Sequence, residues 1–322
     1  MEGLEQLSTM RVAPEKARLL QRATWASMTV ALLLAGAKGV IVVMSGSVAL
    51  LGSFFDSLLD LVASAIIFLG VRAALQPPDA EHRFGHGKAE GLASLAQAAI
   101  MGGSALFLFS EAVDHLLHPR SPSHSLAIIA VSAVAIAASV LLIAFQQWVV
   151  RRTGSLAIRA DRAHYLGDLS LNAAVILSAW LSGRFVLADG LFGLAIALWI
   201  AWQAWSVARH AVDMLMDREF DEAARERIFE IAMGNPQVKG VHELKTRSSG
   251  THDFIQLHLE VDPEMSVRRA HLVATEVEAA ISEEFPTAEI LIHIDPLGVE
   301  DHEPVVGPKG STAVLASPEL SG

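Results

Sequence analysis

The first two thirds of the chain consist of long apolar stretches separated by short polar gaps. The apolar core of a bilayer requires about 20 mostly apolar residues per helix, and six stretches reach this length. They are continuously apolar, whereas the strands of a membrane barrel alternate between apolar and polar residues. The sequence therefore predicts an α-helical membrane protein with six transmembrane helices. The predicted spans cover residues 24–45, 49–71, 91–117, 126–150, 155–181 and 186–207.

After Asp217 the pattern becomes typical of a soluble domain. Two amphipathic helices and three strands with period two follow in the order α-β-β-α-β. This order predicts a small two-layer α+β domain of the ferredoxin-like or metallochaperone-like kind. The predicted helices are residues 222–233 and 267–285, and the predicted strands are residues 241–247, 254–261 and 290–294.

The composition agrees with two regions in different solvents. The chain is 52% hydrophobic and only 18% charged, whereas soluble proteins keep roughly a quarter of their residues charged. From Asp217 onward, the chain has 9 Lys and Arg and 21 Asp and Glu, which gives a net charge of about −12. Such an acidic region disfavours nucleic acid as a partner. The chain has no cysteine, so disulfides and thiolate metal sites are excluded.

The positions of lysine and arginine predict the orientation in the membrane. They collect in the N-terminal segment and in the second–third and fourth–fifth gaps, whereas the other side has only Arg120 and Arg184. By the positive-inside rule, both termini lie in the cytosol. The predicted regions are a cytoplasmic N-terminal segment at 1–23, a membrane domain at 24–217, a cytoplasmic domain at 218–298 and a disordered tail at 299–322.

Charged and polar residues interrupt two of the predicted spans. Asp56 and Asp60 lie in the second span, where each costs roughly 2.5–3.5 kcal/mol on insertion scales. Their i,i+4 spacing places both carboxylates on one helix face, and His164 and Asp168 repeat this spacing in the fifth span. Three carboxylates and one imidazole can form a tetrahedral zinc site. Residues at a helix end, or a proton relay, are the alternative interpretation.

The gap between the second and third spans holds another group of metal-binding side chains. Asp79, His82 and His86 place one carboxylate and two imidazoles within eight residues. Gly85 and Gly87 favour a loop over a helix here. The alternative is an ordinary solvated polar loop.

Histidine is frequent in the acidic domain. His293 and Asp295 are two residues apart on a predicted strand, so both side chains point to the same side and can hold one ion together. Any one of these histidines alone fits a surface residue, but the cluster favours metal binding. The five histidines are His242, His252, His258, His271 and His293.

Taken together, these residues resemble the cation diffusion facilitator family, in particular its bacterial zinc and ferrous-iron exporters. The resemblance runs collinearly from about residue 24 to residue 296. It is carried by the two i,i+4 pairs of the spans, by FGHGKAE at residues 84–90, and by GVHELKTRSSG, IQLHLEVD and IHIDP in the acidic domain.

The resemblance implies three groups of metal ligands and one ion pair. The transport site would be Asp56, Asp60, His164 and Asp168, and the loop site would be Asp79, His82 and His86. The cytoplasmic-domain site would be His242, His258, His271, His293 and Asp295. Lys88 and Asp217 would form a charge interlock at the dimer contact, while His252 has no counterpart.

The resemblance also implies an activity and an assembly. We expect a homodimer in the inner cell membrane that exchanges a metal ion for protons. Zinc is the expected ion, with cadmium, ferrous iron and cobalt as alternatives.

Proteins of other classes fit the sequence less well. A cation channel can use rings of acidic residues but must release its ions quickly. A membrane metal sensor that does not transport would have no need of ligands inside the spans. The sequence shows no nucleophile–base pair and no phosphate-binding loop, so an enzyme is not predicted.

Overall fold

The computed structural model describes residues 13–45, 48–118, 126–181 and 188–298. The chain divides into two compact units, Met1–Leu215 and Met216–Gly322. The predicted disordered tail at 299–322 and most of the predicted N-terminal segment lie outside the described residues.

Long α-helices make up the described part of the first unit. Two of them extend well beyond the predicted spans, because hydropathy marks the apolar part of a helix and not its ends. The first helix begins at Pro14, and the last continues to Leu215. The helices are α1 (Pro14–Ser45), α2 (Val48–Ala74), α3 (Ala89–Leu117), α4 (Leu126–Thr153), α5 (Leu156–Leu181) and α6 (Ala188–Leu215).

Five of these helices are long and apolar enough to cross a membrane, counting only the described residues. α5 is not among them, since polar side chains such as His164, Asp168 and Asn172 interrupt its apolar sequence. The five segments are Pro14–Val43, Phe54–Ala74, Ala89–Leu117, Ser132–Thr153 and Gly190–Leu215.

The N-terminal end of the polar helix α5 is enclosed by the other helices of the first unit. Its first ten residues are almost all buried, including Ile158, Asp161 and Tyr165. It packs against α4 and α6 and contacts α1, α2 and α3 as well. Large apolar side chains such as Leu33 and Leu141 are instead exposed on α1 and α4. Polar groups inside and apolar groups outside are the arrangement that a lipid solvent favours.

Small residues allow the membrane helices to approach closely. A Cβ atom added at Gly70 of α2 would lie 2.3 Å from the Cβ of Ala93 on α3. Glycine at this position therefore sets the distance between the two helices, as small residues do at helix contacts in membranes.

The second unit contains two helices and a three-stranded sheet of order β1-β2-β3. β1 and β2 are antiparallel, and β2 and β3 are parallel. Asp221 and Ser266 cap the two helices by accepting hydrogen bonds from the N–H groups of Ala224 and Arg269. The elements are α7 (Glu222–Met233), β1 (Gly240–Ser248), β2 (Asp253–Val261), α8 (Val267–Glu284) and β3 (Ala288–Pro296).

One face of the sheet is apolar and the other is polar. Ile255, Leu257 and Leu259 of β2 are buried in a core that Val273 and Val277 of α8 complete. The alternate residues of β2 lie on the opposite face, as the period of a strand requires. This polar face carries the histidines.

Candidate metal sites

Three side chains from two neighbouring helices converge within the first unit. His164 Nε2 lies 3.3 Å from Asp60 Oδ1 and 3.6 Å from Asp168 Oδ2. Asp60 is on α2, and the other two residues lie one turn apart on α5. Their ligand atoms are all within 4.8 Å of one another, so one small cation could contact all three. We call these residues the membrane cluster.

The imidazole of His164 is oriented towards this common point and not towards a hydrogen-bond partner. Its side chain is only 7% exposed, and Nε2 is buried without a hydrogen bond despite the two nearby carboxylates. A buried nitrogen without a hydrogen bond is unfavourable unless an ion or a proton compensates it. Three donor atoms close to one point form an arrangement that can hold a small cation.

A cavity of about 20 Å³ lies beside the membrane cluster. This volume is enough for about one water-sized particle. Asp60 and Asp168 line it together with Lys38 and Asn172. Asp56, the fourth predicted ligand, is exposed and is not brought together with the other three among the described residues.

Two buried carboxylates near the start of α5 were not predicted from the sequence. Glu90 of α3 is 1% exposed, and it accepts hydrogen bonds from the Ser155 hydroxyl and the Ala157 N–H at the N-terminus of α5. Asp161 is fully buried and accepts a 2.7 Å hydrogen bond from Gln146 of α4. An acidic residue within or beside an apolar helix was the available signal for both.

The α2–α3 loop brings its three predicted ligands together. His86 Nε2 lies 3.2 Å from Asp79 Oδ2, and His82 Nδ1 lies 3.4 Å from Asp79 Oδ1. Gly85 has φ +77°, so the segment turns as a loop and is not helical. The backbone N–H of His82 above all, with that of Glu81 and the two imidazoles, lowers the pKa of Asp79. The carboxylate is thus kept in the charged form that binds metal.

Strand register aligns three histidines across the polar face of the sheet. His258 of β2 pairs with His242 of β1 and with His293 of β3. Asp295 lies two residues after His293 on the same face, as predicted from the strand period. Its Oδ2 is 2.8 Å from His258 Nδ1 and 3.3 Å from His242 Nε2, and its Oδ1 is 3.1 Å from His293 Nε2. We call these four residues the sheet cluster.

A bulge in β1 adds a carboxylate that sequence analysis missed. The register shifts between His242 and Lys245, and Glu243 has φ +50°. The bulge turns Glu243 towards the cluster, so that its Oε2 lies 3.8 Å from His258 Nε2. Lys245, 3.1 Å from the same oxygen, lowers the pKa of Glu243 through its hydrogen bond.

Four other predicted or considered residues are not brought into these clusters. His271 is exposed on α8, whose buried residues face the sheet from the apolar side, so one chain does not bring it to the sheet cluster. His252 lies in the turn between β1 and β2. Lys88 donates a hydrogen bond to the Leu215 carbonyl, and Asp217 lies 3.4 Å from Arg247.

Comparison with known proteins identifies the family of both units. The sequence profile of the cation efflux transmembrane domain matches residues 24–216, and that of the cation efflux protein cytoplasmic domain matches residues 220–297. The chain belongs to the cation efflux family, also called the cation diffusion facilitators. It is thus a multi-pass membrane protein of a metal-cation transporter family, with a cytoplasmic dimerisation domain.

Full-length relatives and a solved domain are similar to the chain. The cation-efflux pump FieF of Serratia proteamaculans is 45% identical over 287 residues, which cover 89% of this chain and 96% of that protein. FieF of Cronobacter sakazakii is 43% identical over 283 residues, which cover 88% of this chain and 94% of that protein. The metal-bound C-terminal domain of the CzcD transporter from Thermotoga maritima is 32% identical, covers 24% of this chain and 93% of that domain, and has a TM-score of 0.23.

Proposed function

We propose that the chain is a homodimeric antiporter that exports a divalent transition metal, zinc above others, from the cytosol in exchange for protons. The observation that carries the proposal is the convergence of Asp60, His164 and Asp168 on one point among membrane helices. The names of the FieF relatives, cation-efflux pumps, agree with this direction of transport.

The proposal includes α5 as a sixth transmembrane helix. Its 26 residues are long enough to cross a bilayer. Its polar side chains can be tolerated there because neighbouring helices bury them. An even number of spans places both termini on one side, which the positive-inside rule assigns to the cytosol of an inner-membrane protein. The membrane domain then covers residues 24–217 and the cytoplasmic domain 218–298.

Proton coupling follows from the chemistry of the membrane cluster. Zinc binds ionised carboxylates and neutral imidazole, so protons and metal compete for the same atoms. Without metal, two or three carboxylates close together in a low-dielectric setting favour proton uptake. If helices rock so that the site faces one side at a time, this competition couples proton entry to metal exit.

The donor set favours zinc without excluding similar ions. Two carboxylates and one imidazole converge, and Asp56, one turn from Asp60, would complete a tetrahedral set of four after a small helix movement. Cadmium, ferrous iron and cobalt accept the same donors, since affinity order alone does not select among them.

The sheet cluster is proposed as a cytosolic metal sensor that is not on the transport path. The cytoplasmic region carries a net charge of about −12, so two copies repel, and each bound divalent ion offsets two charges. Metal binding would draw the two copies together. In the dimer, the partner's His271 would then reach the sheet cluster. We also propose that Asp79, His82 and His86 form a loop metal site, and that Lys88 and Asp217 form a charge interlock at the dimer contact.

Transport by the purified protein in vesicles tests the proposal. Uptake of zinc, cadmium, ferrous iron, cobalt and manganese would be measured with the lumen more acidic than the outside and with no pH difference. We expect saturable uptake, fastest for zinc and accelerated by the acidic lumen. Fast uptake that neither saturates nor depends on pH would support a channel, and no uptake of any ion would support a sensor that does not transport.

A further inference from the structure

Lys38 is a charged residue in a place where a membrane helix rarely carries one. It lies on α1 within Pro14–Val43, a segment long and apolar enough to cross a membrane. A lysine at such a position is strongly disfavoured unless it pairs with an opposite charge or faces the bundle interior. Neither the metal ligands nor the proton exchange of the proposed transport cycle uses this residue.

The structure places Lys38 beside the membrane cluster. It lines the same cavity of about 20 Å³ as Asp60, Asp168 and Asn172. Its charge also attracts the carboxylates of Asp56 and Asp168. Lys38 is half-buried, so water screens these attractions only in part.

The formal charges of the site give this lysine a role in setting affinity. In the proposed four-ligand site, which Asp56 completes, the three aspartates Asp56, Asp60 and Asp168 carry three negative charges when ionised, and a protonated Lys38 reduces the sum to −2. One divalent cation would then leave the site neutral. Without the lysine, the same cation would leave one uncompensated negative charge in a low-dielectric setting, which favours tighter metal binding.

We propose that Lys38 is a built-in counter-cation of the transport site, which compensates the carboxylates between transport cycles and weakens metal binding enough to permit release. The proposal rests on the membrane cluster being the transport site. Lys38 acts here through the carboxylates and is a positioning residue, not a metal ligand. A lysine that merely anchors α1 in the membrane would leave metal affinity unchanged.

Metal binding to the full-length protein in detergent separates these roles. The background would carry His258→Ala, Asp295→Ala, Asp79→Ala and His82→Ala, so that zinc titration by calorimetry reports the membrane cluster. In this background, Lys38→Met and the polar variant Lys38→Gln should bind zinc about tenfold more tightly or better, since the positive charge that they remove repels a divalent ion in the same cavity. Lys38→Arg, which retains the charge, should bind with nearly the original affinity.

Transport kinetics provide the second measurement. In vesicles, Lys38→Met should lower both KM and turnover, because metal is held more tightly and released more slowly. Lys16→Met removes the same charge from the same helix, 22 residues away, or about 33 Å along a helix. It should change neither the affinity nor KM.

The outcomes distinguish this inference from the transport site itself. If Asp60→Ala in the same background still binds zinc, the assignment of the transport site is wrong. If Asp60→Ala abolishes binding while Lys38→Met and Lys38→Gln bind zinc no more tightly than Lys38, the counter-cation role is overturned. If a Lys38 variant failed to fold, it would bind zinc more weakly. Misfolding therefore cannot produce the tighter binding that we predict.

Discussion

The membrane cluster and the sheet cluster use the same side chains, aspartate and histidine, in two different settings. In the first, His164 Nε2 is buried without a hydrogen bond. In the second, His258 Nδ1 and Asp295 Oδ2 form a 2.8 Å hydrogen bond, and the His293 side chain is 64% exposed. The polar atoms of the sheet cluster thus have partners or water without a metal, whereas the buried Nε2 of His164 in the membrane cluster has no hydrogen bond.

This difference separates two uses of one chemistry. A cluster with a buried ligand nitrogen that has no hydrogen bond favours binding either a metal or protons, which is what an exchanger requires. A cluster that is satisfied when empty can be unoccupied at low metal concentration and occupied at high concentration, which is what a sensor requires.

Replacing Asp60 with alanine should have the largest effect. We expect Asp60→Ala to lower zinc flux in vesicles by about a hundredfold or more, because even outer-shell partners of metal ligands contribute 10–100-fold. The protein should stay folded and dimeric, since removing a charge from a membrane helix eases insertion. Asp114→Ala on α3, outside the three clusters, is the matched control, and wild-type flux in Asp60→Ala would exclude the site.

Changing the donors on α5 should alter metal preference. We expect His164→Ala or Asp168→Asn to change the flux ratio of zinc to cadmium or cobalt by about tenfold, because ligand type and geometry set selectivity. The measurement is competition between metals in vesicles. Unchanged flux for every divalent metal in both variants would show that α5 does not line the site.

Hydropathy and helical spacing were enough to predict most of this region. Five of the six predicted spans coincide with helices long and apolar enough to cross a membrane, within the described part of the chain. The cation diffusion facilitator family was inferred from the resemblance of whole motifs and not from hydropathy or spacing. The helix ends were not predicted, because α1 begins at Pro14 and α6 continues to Leu215 outside any apolar stretch. Lys38 was not predicted, because carboxylates and imidazoles mark a metal site in a sequence and a neighbouring lysine does not.

In the soluble domain, the strand period predicted the common face of His293 and Asp295. It could not predict the bulge that turns Glu243 towards His258, because a bulge depends on pairing between strands. Nor could spacing show that His271 lies on the far side of α8, since that depends on which helix face packs on the sheet.

Disabling the sheet cluster should slow transport without stopping it. We expect the double variant His258→Ala, Asp295→Ala to transport zinc roughly fivefold more slowly, at the low end of ordinary allosteric coupling. Thr275→Ala on the exposed side of α8 is a matched control outside the cluster. Complete loss of transport would place this cluster on the transport path.

The isolated soluble domain provides an independent test of the sensor. Residues 218–298 expressed alone should bind zinc by calorimetry, and scattering should show a more compact dimer with zinc than with a chelator. The double variant should lose both effects. If the domain binds no zinc at micromolar concentrations, it is a structural dimer clamp with incidental histidines.

Neutralising Glu90 should have the smallest effect on transport. Glu90→Gln retains the shape of the side chain but removes a negative charge from the N-terminus of α5, where it is favourable. We expect the free energy of unfolding in detergent to fall by about 1 kcal/mol. Because the membrane cluster is unaltered, zinc flux should stay near wild type, and a loss comparable to that of Asp60→Ala would assign Glu90 to the transport path.

Simultaneous recording of zinc and protons measures the exchange of metal for protons itself. Vesicles containing the full-length protein would carry a zinc-sensitive dye and a pH-sensitive dye in an acidic lumen. We expect that zinc entry raises the lumenal pH, that dissipating the pH difference slows zinc entry, and that Asp60→Ala abolishes both signals. Zinc entry without any change in lumenal pH, or equal signals from wild type and Asp60→Ala, would contradict a site that binds metal and protons in competition.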